Sequence, residues 1–337
     1  MTTAAGDPFV RIRDLRVTFG RVIKAVDGVD LDLGRGEVVA LIGESGSGKS
    51  VTLRSLLRLH PKRAAAMSGE IRVDGVDVLA LSDRELSQYR GGAVSMIFQE
   101  PLLALDPVYT VGQQITETIR RHERVTRDEA RARALRLFER VRIPSPERRL
   151  DAYPHEMSGG MRQRAMIALA LSCRPKVLLA DEPTTALDAT VQIQVLLLLR
   201  ELQREFGLSI IFVTHDIGAA VEVADRIAVM YAGRIVESGA ARDIIRSPRH
   251  PYTIGLLKSR ASGPLSAGSR LDAIPGAPPD LSRLPPGCAF APRCPLAADP
   301  CRVAPPPALP VGPGHEARCI RFEDAEALLR ARPAAVS

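Results

Sequence analysis

Hydrophobic and polar residues alternate along two segments near the N-terminus, VRIRDLRVTF (10–19) and VDGVDLDLGRG (26–36). Alternation with a period of two is typical of strands that bury one face, so these segments predict half-buried antiparallel strands. The continuous apolar run VVALIG (38–43) then ends at a glycine-rich loop, and SVTLRSLLRLH (50–60) continues with apolar residues at helical spacing. This order predicts a buried strand, a loop and a helix.

The same kinds of pattern recur further along the chain. Apolar runs predict strands in AVSMIFQ, KVLLADEP and SIIFVTH, and the last two are separated by the helical pattern of VQIQVLLLLRELQREF. Residues 110–149 are highly charged and have helical spacing, whereas RIAVMYAGRIVESG predicts a hairpin that turns at Ala232 and Gly233. Buried strands that alternate with helices predict an α/β fold, in which helices cover both faces of a mostly parallel sheet.

The pattern changes in the last quarter of the chain. Between Leu271 and Pro313 there are 13 of the 26 prolines, and hydrophobic periodicity disappears. We therefore expect one large domain over residues 8–257 and a separate, loop-rich module over residues 258–325. The terminal residues 1–7 and 326–337 are predicted to be flexible.

Composition narrows the function only slightly. The net charge of +7 suits a nucleic acid or an anionic membrane surface, but an arginine-rich composition also gives ordinary solvated faces. Aromatic residues make up only 4% and tryptophan is absent, so a stacking platform for single strands is poorly supplied. The N-terminal residues lack the pattern of a secretory signal, and the apolar runs are too short to span a bilayer. We expect a cytosolic protein, in which stable disulfides are uncommon.

The segment GESGSGKS (43–50) matches the phosphate-binding loop G-x-x-x-x-G-K-S and lies between a predicted strand and a predicted helix. Glycines allow backbone amides to turn towards the phosphates, and the positive end of the following helix points at them. Lys49 is predicted to reach the β- and γ-phosphates, and the Ser50 hydroxyl is predicted to bind Mg²⁺.

A second set of polar residues follows later strands. Asp181 ends the strand of KVLLADEP, and its carboxylate suits Mg²⁺ because a hard cation prefers oxygen ligands. Glu182 follows directly and is predicted to orient or deprotonate the attacking water. His215, at the end of SIIFVTH, is predicted to donate a hydrogen bond to a γ-phosphate oxygen. Strands often end in polar residues, so Asp181 and Glu182 alone do not indicate catalysis. The phosphate loop upstream and His215 after the next strand favour the catalytic interpretation.

The segment MSGGMRQR (157–164) predicts a second anion site, made of backbone amides and a hydroxyl at the start of a helix. The phosphate loop at 43–50 already binds the triphosphate, so a second anion site in the same chain needs another explanation. With these motifs the sequence resembles the ATP-binding-cassette family over about residues 8–257. In that family the signature loop of one subunit closes over ATP held by another, so the chain must pair with itself or with a paralogue. The M-S-G-G-M form departs mildly from the commoner L-S-G-G-Q.

The resemblance implies the rest of the architecture and the site. The fold would be a cassette with a mixed-sheet core, an antiparallel β subdomain and a helical subdomain at about residues 100–160. Gln99 in IFQEP matches the glutamine that senses Mg²⁺ and couples to a membrane partner. The implied catalytic set is Lys49, Gln99, Glu182 and His215, and the implied Mg²⁺ set is Ser50, Gln99 and Asp181. The implied nucleotide contacts are Phe19, Gly43, Glu44, Ser45, Gly46, Ser47, Gly48, Lys49, Ser50, Val51, Ser158, Gly159, Gly160 and Asp188.

A narrower resemblance covers the end of the chain. SPRHPYTIGLL (247–257), AIPGAPP (273–279) and PPGCAFAPRC (285–294) are similar to the C-terminal extension of ATPase subunits of oligopeptide, dipeptide and nickel importers. This implies a peripheral protein at the cytoplasmic face of the membrane, with a second ATPase subunit, two membrane permeases and an extracytoplasmic binding protein. No nucleic acid is expected. The alternative is a soluble nucleic-acid-remodelling ATPase with a zinc-binding tail. The transported solute stays open.

Four of the five cysteines, Cys288, Cys294, Cys301 and Cys319, lie in the proline-rich tail. Their thiolates could fasten a segment that has little regular structure, and sulfur ligation suits zinc or an iron–sulfur cluster. The spacing lacks the C-x2-C typical of zinc sites, and importers with this cysteine pattern are associated with a 4Fe–4S cluster. Zinc, free thiols and a redox-sensing role stay open. Cys173 is predicted to be a small buried residue. His315 could replace one cysteine as a ligand, but it is predicted to be an exposed bystander.

Overall fold

The computed structural model describes residues 7–100, 104–185, 187–261 and 274–330. Its strands are β1 Val10–Phe19, β2 Ile23–Leu33, β3 Val38–Ile42, β4 Ala65–Val73, β5 Val76–Asp77, β6 Val94–Ile97, β7 Val177–Asp181, β8 Ser209–Thr214, β9 Arg226–Tyr231, β10 Arg234–Ala240, β11 Leu309–Gly312 and β12 His315–Ala317.

The helices of the same ranges are α1 Lys49–Leu56, α2 Asp83–Gly92, α3 Val111–His122, α4 Arg127–Arg140, α5 Pro146–Leu150, α6 Gly159–Leu171, α7 Ala189–Phe206, α8 Ile217–Val223, α9 Ala241–Arg246, α10 Pro251–Ala261, α11 Pro300–Val303 and α12 Phe322–Arg330. Short 3-10 helices lie at Pro154–Glu156 and Ala291–Arg293.

The N-terminal strands form an antiparallel sheet in the order β2-β1-β4-β5. The predicted alternation is observed in β1, where Ile12, Leu15 and Val17 are all buried. Three positions separate the first two of these residues because the register shifts beside Asp14, which has a φ of 44°. This bulge keeps the apolar side chains on one face of the sheet.

The central sheet has the order β11-β12-β10-β9-β3-β8-β7-β6. Strands β9, β3, β8, β7 and β6 run parallel, whereas β10, β11 and β12 add antiparallel pairs. Hydrophobic cores lie on both faces. Val38, Ala40 and Ile42 of β3 face one core, and Val39 and Leu41 face the other. The predicted α/β fold with a sheet covered on both faces is therefore confirmed.

A helical segment projects from the central sheet, where the sequence predicts charged helices. Helices α3 and α4 each begin with a capping box, at Thr110 and Thr126 respectively. Such caps satisfy amides at the helix start, and Ile119 and Phe138 are buried between the helices. Among the residues that the structure describes, we find no helix with the length and apolar character needed to span a membrane.

The C-terminal segment packs against the large domain. Strand β12 pairs with β10, which extends the central sheet, and α12 packs against α10. Residues 326–330, which the sequence places in a flexible terminus, belong to helix α12. The predicted flexible residues 1–6 and 331–337 lie outside the described part of the chain.

Candidate functional site

The phosphate loop connects β3 to α1, and its backbone requires glycine at specific positions. Gly43, Gly46 and Gly48 have φ values of 153°, 77° and 103°. A Cβ atom on Gly43 would lie 2.2 Å from the Met230 carbonyl oxygen, and one on Gly48 would lie 2.3 Å from the Ala25 carbonyl oxygen. Neighbouring backbone therefore forms a close wall around the loop, and only glycine fits at these two positions.

The loop surrounds a buried lysine. Lys49 Nζ donates hydrogen bonds to the carbonyl oxygens of Gly43 at 2.8 Å and Glu44 at 2.9 Å. Burial lowers the pKa of Lys49, while the nearby carboxylates of Glu182, Asp181 and Glu44 act to raise it. The buried hydroxyl of Ser47 has no hydrogen-bond partner. An unsatisfied buried donor and a buried cation are the groups that a phosphate would satisfy, so the loop fits the triphosphate.

The predicted Mg²⁺ residues of the phosphate loop and β7 lie together. Ser50 Oγ donates a hydrogen bond of 2.6 Å to Asp181 Oδ1, and an Arg54 guanidinium nitrogen lies 3.5 Å from Asp181 Oδ2. The Asp181 side chain has no exposed surface, and burial raises its pKa against the lowering effect of the Ser50 hydrogen bond. A hydroxyl and a carboxylate in contact form a donor set that fits Mg²⁺.

Glu182 is the centre of a second cluster. Its Oε2 atom accepts a hydrogen bond from Thr185 Oγ1 at 2.9 Å and another from Gln99 Nε2 at 3.3 Å, and it lies 3.4 Å from His215 Nδ1. The structure thus brings together the residues predicted for catalysis at the ends of β6, β7 and β8. Parallel strands end at one edge of a sheet, which explains this convergence.

The loop formed by Ser158, Gly159 and Gly160 lies against the start of α7, which Asp188 caps. The hydroxyl of Ser158 caps helix α6 by accepting a hydrogen bond of 3.3 Å from the Met161 amide. Asp188 caps α7 by accepting a 2.9 Å hydrogen bond from the Val191 amide. A Cβ atom on Gly160 would lie 3.0 Å from Val191 Cγ1. These two hydrogen bonds lie within the starts of helices α6 and α7.

The remaining predicted nucleotide contacts differ in their surroundings. The ring of Phe19 is half-buried and meets His60 edge to face, with centroids 5.6 Å apart. His60 Nε2 lies 3.0 Å from the carbonyl oxygen of Val51, which places Phe19 beside the first turn of α1. Ser45 is exposed, whereas the Glu44 side chain is already bound to Arg293.

All four tail cysteines line one cavity of about 20 Å³. Burial raises the pKa of Cys288 and of Cys294, and it raises that of Cys319 to about 12. Four sulfur atoms facing one space are a donor set suited to a thiophilic metal centre. The cavity is about the size of one water molecule, and no group of three or more ligand side chains in the described ranges has an arrangement that could hold a metal ion.

Two other predictions concern single residues. Cys173 is buried, and its sulfur lies 3.7 Å from the Thr118 carbonyl oxygen. His315 is not exposed, because its Nε2 atom lies 2.8 Å from Oε1 of the buried Glu237. The prediction of exposure was wrong because the flanking sequence does not reveal the carboxylate 78 positions earlier.

Sequence reasoning also missed two side chains that contact the phosphate loop. Arg293 forms an ion pair with Glu44 at 2.7 Å, and the Tyr252 hydroxyl accepts a hydrogen bond from the Glu44 amide at 2.7 Å. Both residues belong to segments that carry the importer-like resemblance, SPRHPYTIGLL and PPGCAFAPRC. The resemblance could have marked Tyr252 and Arg293 as candidate functional residues, but it does not indicate that they contact Glu44.

The fold and the site together define a P-loop ATPase of the ATP-binding-cassette class. A family model described as ABC transporter matches residues 26–185, and one described as oligopeptide/dipeptide transporter, C-terminal region, matches residues 236–301. The chain is 48% identical over 331 residues to a peptide import ATP-binding protein of Brucella melitensis, covering 94% of this chain and 98% of that protein. The chain therefore belongs to the ABC transporter family of ATP-binding proteins, in the branch with this C-terminal region.

A further relative and a solved structure also belong to ABC transporters. The oligopeptide transport ATP-binding protein OppD of Bacillus subtilis is 49% identical over 288 residues, which cover 84% of this chain and 80% of that protein. The dimeric structure of MJ0796, a bacterial ABC transporter cassette, superposes with a TM-score of 0.62 at 30% identity. The match covers 69% of this chain and 99% of the MJ0796 chain.

Proposed function

We propose that the protein is the ATP-hydrolysing subunit of an ABC importer of peptides or related solutes, nickel included. The observation that carries the proposal is the convergence of Gln99, Thr185 and His215 on the Glu182 carboxylate. This cluster follows the strand that ends at Asp181, whose side chain contacts the phosphate-loop residue Ser50. The similarity to named peptide importers supports the solute class.

The chemistry follows from how these groups are placed. The loop amides and Lys49 bind the phosphates, and Ser50, Asp181 and Gln99 would hold Mg²⁺. Bound Mg²⁺ would neutralise the charge on the phosphate oxygens. Glu182 Oε2 orients the attacking water and accepts its proton, and His215 contacts the γ-phosphate. Positioning and charge stabilisation supply most of the rate in such a reaction.

The site is completed by a second ATPase subunit, whose signature loop closes over the bound ATP. In this chain the corresponding loop is formed by Ser158, Gly159 and Gly160. Two of these residues are glycines, and Ser158 already satisfies one amide of the helix start. A loop of this kind offers amides and a hydroxyl to the phosphates held by its partner. The partner is a paralogue in the arrangement that we favour, and a second copy in the alternative.

The membrane partners are two permeases and an extracytoplasmic binding protein. Phe98, which precedes Gln99, is 38% exposed, and Val108 and Tyr109 before α3 are 69% and 53% exposed. Exposed apolar side chains of this kind suit contact with a permease, and Phe98 directly precedes the glutamine that the resemblance assigns to coupling with a membrane partner. The protein would lie at the cytoplasmic face of the membrane, held there by the permeases.

A coexpression experiment tests the transport assignment. This chain is expected to co-sediment with membranes that contain the permeases. Vesicles of these membranes should accumulate peptide in an ATP-dependent manner when the binding protein is present. Glu182→Gln should retain MgATP binding while hydrolysis and uptake are lost, whereas Lys49→Ala should weaken binding itself. A chain that stays soluble beside its permeases but binds nucleic acid would support the nucleic-acid ATPase instead. Normal turnover by Glu182→Gln would refute the role given to that residue.

We further propose that Cys288, Cys294, Cys301 and Cys319 hold a 4Fe–4S cluster, for which these side chains would have to move apart, because the cavity between them measures only about 20 Å³. Support comes from the four thiols that line one cavity and from the cysteine spacing. Anaerobic purification followed by iron, sulfide and zinc analysis tests this directly. About four irons with a broad visible absorption are expected, and Cys294→Ser should reduce both. One zinc per chain and no visible absorption would show a zinc site instead of the cluster. A protein without metal would show that the four cysteines are free thiols.

A further inference from the structure

The C-terminal segment reaches into the nucleotide site at one residue. Arg293 Nη1 donates a hydrogen bond of 2.7 Å to Glu44 Oε2, and its Nη2 donates one of 3.0 Å to Glu44 Oε1. Glu44 is the second residue of the phosphate loop, and 249 positions separate the two residues. Two parallel hydrogen bonds between a guanidinium and a carboxylate form a strong, geometrically specific pair.

Arg293 is held rigidly on its own side of this contact. Its side chain is only 5% exposed. Its Nε donates to the Pro275 carbonyl oxygen at 2.9 Å, its Nη2 to the Ile274 carbonyl oxygen at 3.3 Å, and its Nη1 to the Tyr231 hydroxyl at 3.3 Å. The hydrogen bonds to Glu44 raise the pKa of Arg293. The guanidinium is therefore fixed by contacts within its own segment and with Tyr231 as well as by Glu44.

Every polar part of Glu44 is engaged. Its amide donates a hydrogen bond of 2.7 Å to the Tyr252 hydroxyl, and its carbonyl accepts from Lys49 Nζ at 2.9 Å and from the Ser47 amide at 3.2 Å. Tyr252 is fully buried beneath the loop. The carbonyl that positions the phosphate-binding lysine thus belongs to the same residue whose side chain Arg293 holds.

Aromatic packing ties this contact to the cysteine-bearing tail. The ring of Phe290 lies 5.3 Å from that of Tyr231 and 5.4 Å from that of Tyr252, measured between centroids. Phe290 and Arg293 lie between Cys288 and Cys294 in the sequence, and both cysteines line the same cavity. The segment that contains Arg293 is therefore packed as one unit against the loop.

We propose that Arg293 is a positioning residue for nucleotide binding, which holds Glu44 so that the phosphate loop stays in its binding form. This rests on the ATP site proposed above and adds to it a contribution of the C-terminal segment to nucleotide affinity. A loop that is in its binding form for only about a tenth of the time binds about tenfold more weakly, because unproductive forms compete.

The test is a titration of the full chain with fluorescent MgATP and MgADP. Arg293→Gln is expected to weaken both nucleotides about tenfold, since the loop contacts the phosphates that they share. Arg293→Lys keeps the positive charge but cannot form two parallel hydrogen bonds to Glu44, so its loss of nucleotide affinity should be smaller. Glu44→Gln should match Arg293→Gln, and the double variant should lose no more than either single one.

Arg318→Gln is the matched control. Arg318 lies in the same C-terminal segment and pairs with Asp30 of β2 at 3.8 Å, away from the phosphate loop. Its substitution should leave both affinities unchanged. In the assembled importer, Arg293→Gln should raise the KM for ATP and keep kcat at saturating ATP, whereas a purely structural defect would lower the active fraction.

The outcomes separate the two proposals. Wild-type affinity in Arg293→Gln, or losses that multiply in the double variant, would overturn the positioning role alone. A wild-type chain that binds neither nucleotide would overturn the ATP site as well. If Arg293→Gln does not fold, Arg293→Lys gives the answer, because it keeps the charge and removes the paired hydrogen bonds to Glu44; wild-type affinity in that variant would overturn the positioning role.

Discussion

Glu182 adopts a backbone conformation that is uncommon outside glycine, with a φ of 47°. Its amide donates a hydrogen bond to the Val213 carbonyl oxygen, and its own carbonyl accepts one from the Thr185 amide. Such a conformation costs on the order of 1–3 kcal/mol and persists only where surrounding contacts enforce it. Here the Glu182 carboxylate contacts Gln99 and His215, so the strained backbone places the group for which we propose the water-orienting role.

Two glycines of the phosphate loop, Gly46 and Gly48, differ in how much space surrounds them. Gly48→Ala places a Cβ atom 2.3 Å from the Ala25 carbonyl oxygen, whereas a Cβ atom on Gly46 would meet nothing within 4 Å. Both residues have positive φ, so both variants carry a backbone cost of about 1–2 kcal/mol. Gly48→Ala adds a steric clash, and we expect a further loss of about 1–3 kcal/mol.

Thermal unfolding and nucleotide titration of the two variants check this. Gly48→Ala should unfold at a lower temperature than Gly46→Ala and should bind MgATP more weakly. Equal behaviour of the two variants would show that the wall formed by Ala25 does not shape the loop.

A buried carboxylate adds to the pairing of β12 with β10. Glu237 on β10 accepts hydrogen bonds from the amides of Arg249 at 2.6 Å and His250 at 2.9 Å, and His315 Nε2 lies 2.8 Å from it. Three segments of the chain therefore meet at one side chain with no exposed surface. A buried carboxylate is costly unless such partners surround it.

Removal of one of these partners is expected to loosen the added strands. His315→Ala leaves a buried oxygen of Glu237 with a missing partner, which should cost about 1–3 kcal/mol. Hydrogen exchange should then speed up in β11 and β12 more than in β3. Glu316→Ala, on the exposed face of the same strand, is the control and should leave exchange unchanged. Similar effects of both variants would contradict a specific role for the His315 contact.

The elements that could be predicted from the sequence are those with strong local patterns. The runs that became β3, β7 and β8 are continuous and apolar, because these strands are buried on both faces. Strand β4 was missed because AAMSGEIRV has no clear alternation, and β12 because it has only three residues. The meeting of Ser50 with Asp181 could be predicted from a motif, but the contact of Arg293 with Glu44 has no local signature.

In the part of the chain that the structure describes, the loop of Ser158, Gly159 and Gly160 lies against the start of α7, and the side chains of Ser158 and Asp188 cap their own helices. A closed ATP site then needs the loop of another subunit. We expect the isolated chain to hydrolyse ATP slowly at low concentration, and turnover per chain to rise when the partner ATPase subunit is added. Phosphate release measured alongside light scattering checks this. Rapid turnover in a sample shown to be monomeric would contradict a shared site.

The contact between Glu44 and Arg293 also has a consequence for biosynthesis. The ribosome makes the phosphate loop before Arg293, and the arginine that holds the loop emerges 249 residues later. At roughly 5–20 residues per second, this interval lasts about 12–50 s. During that time the nascent cassette has its nucleotide motif but not the contact that fixes it. Full affinity for ATP would therefore be acquired only after Arg293 has been translated and has reached Glu44.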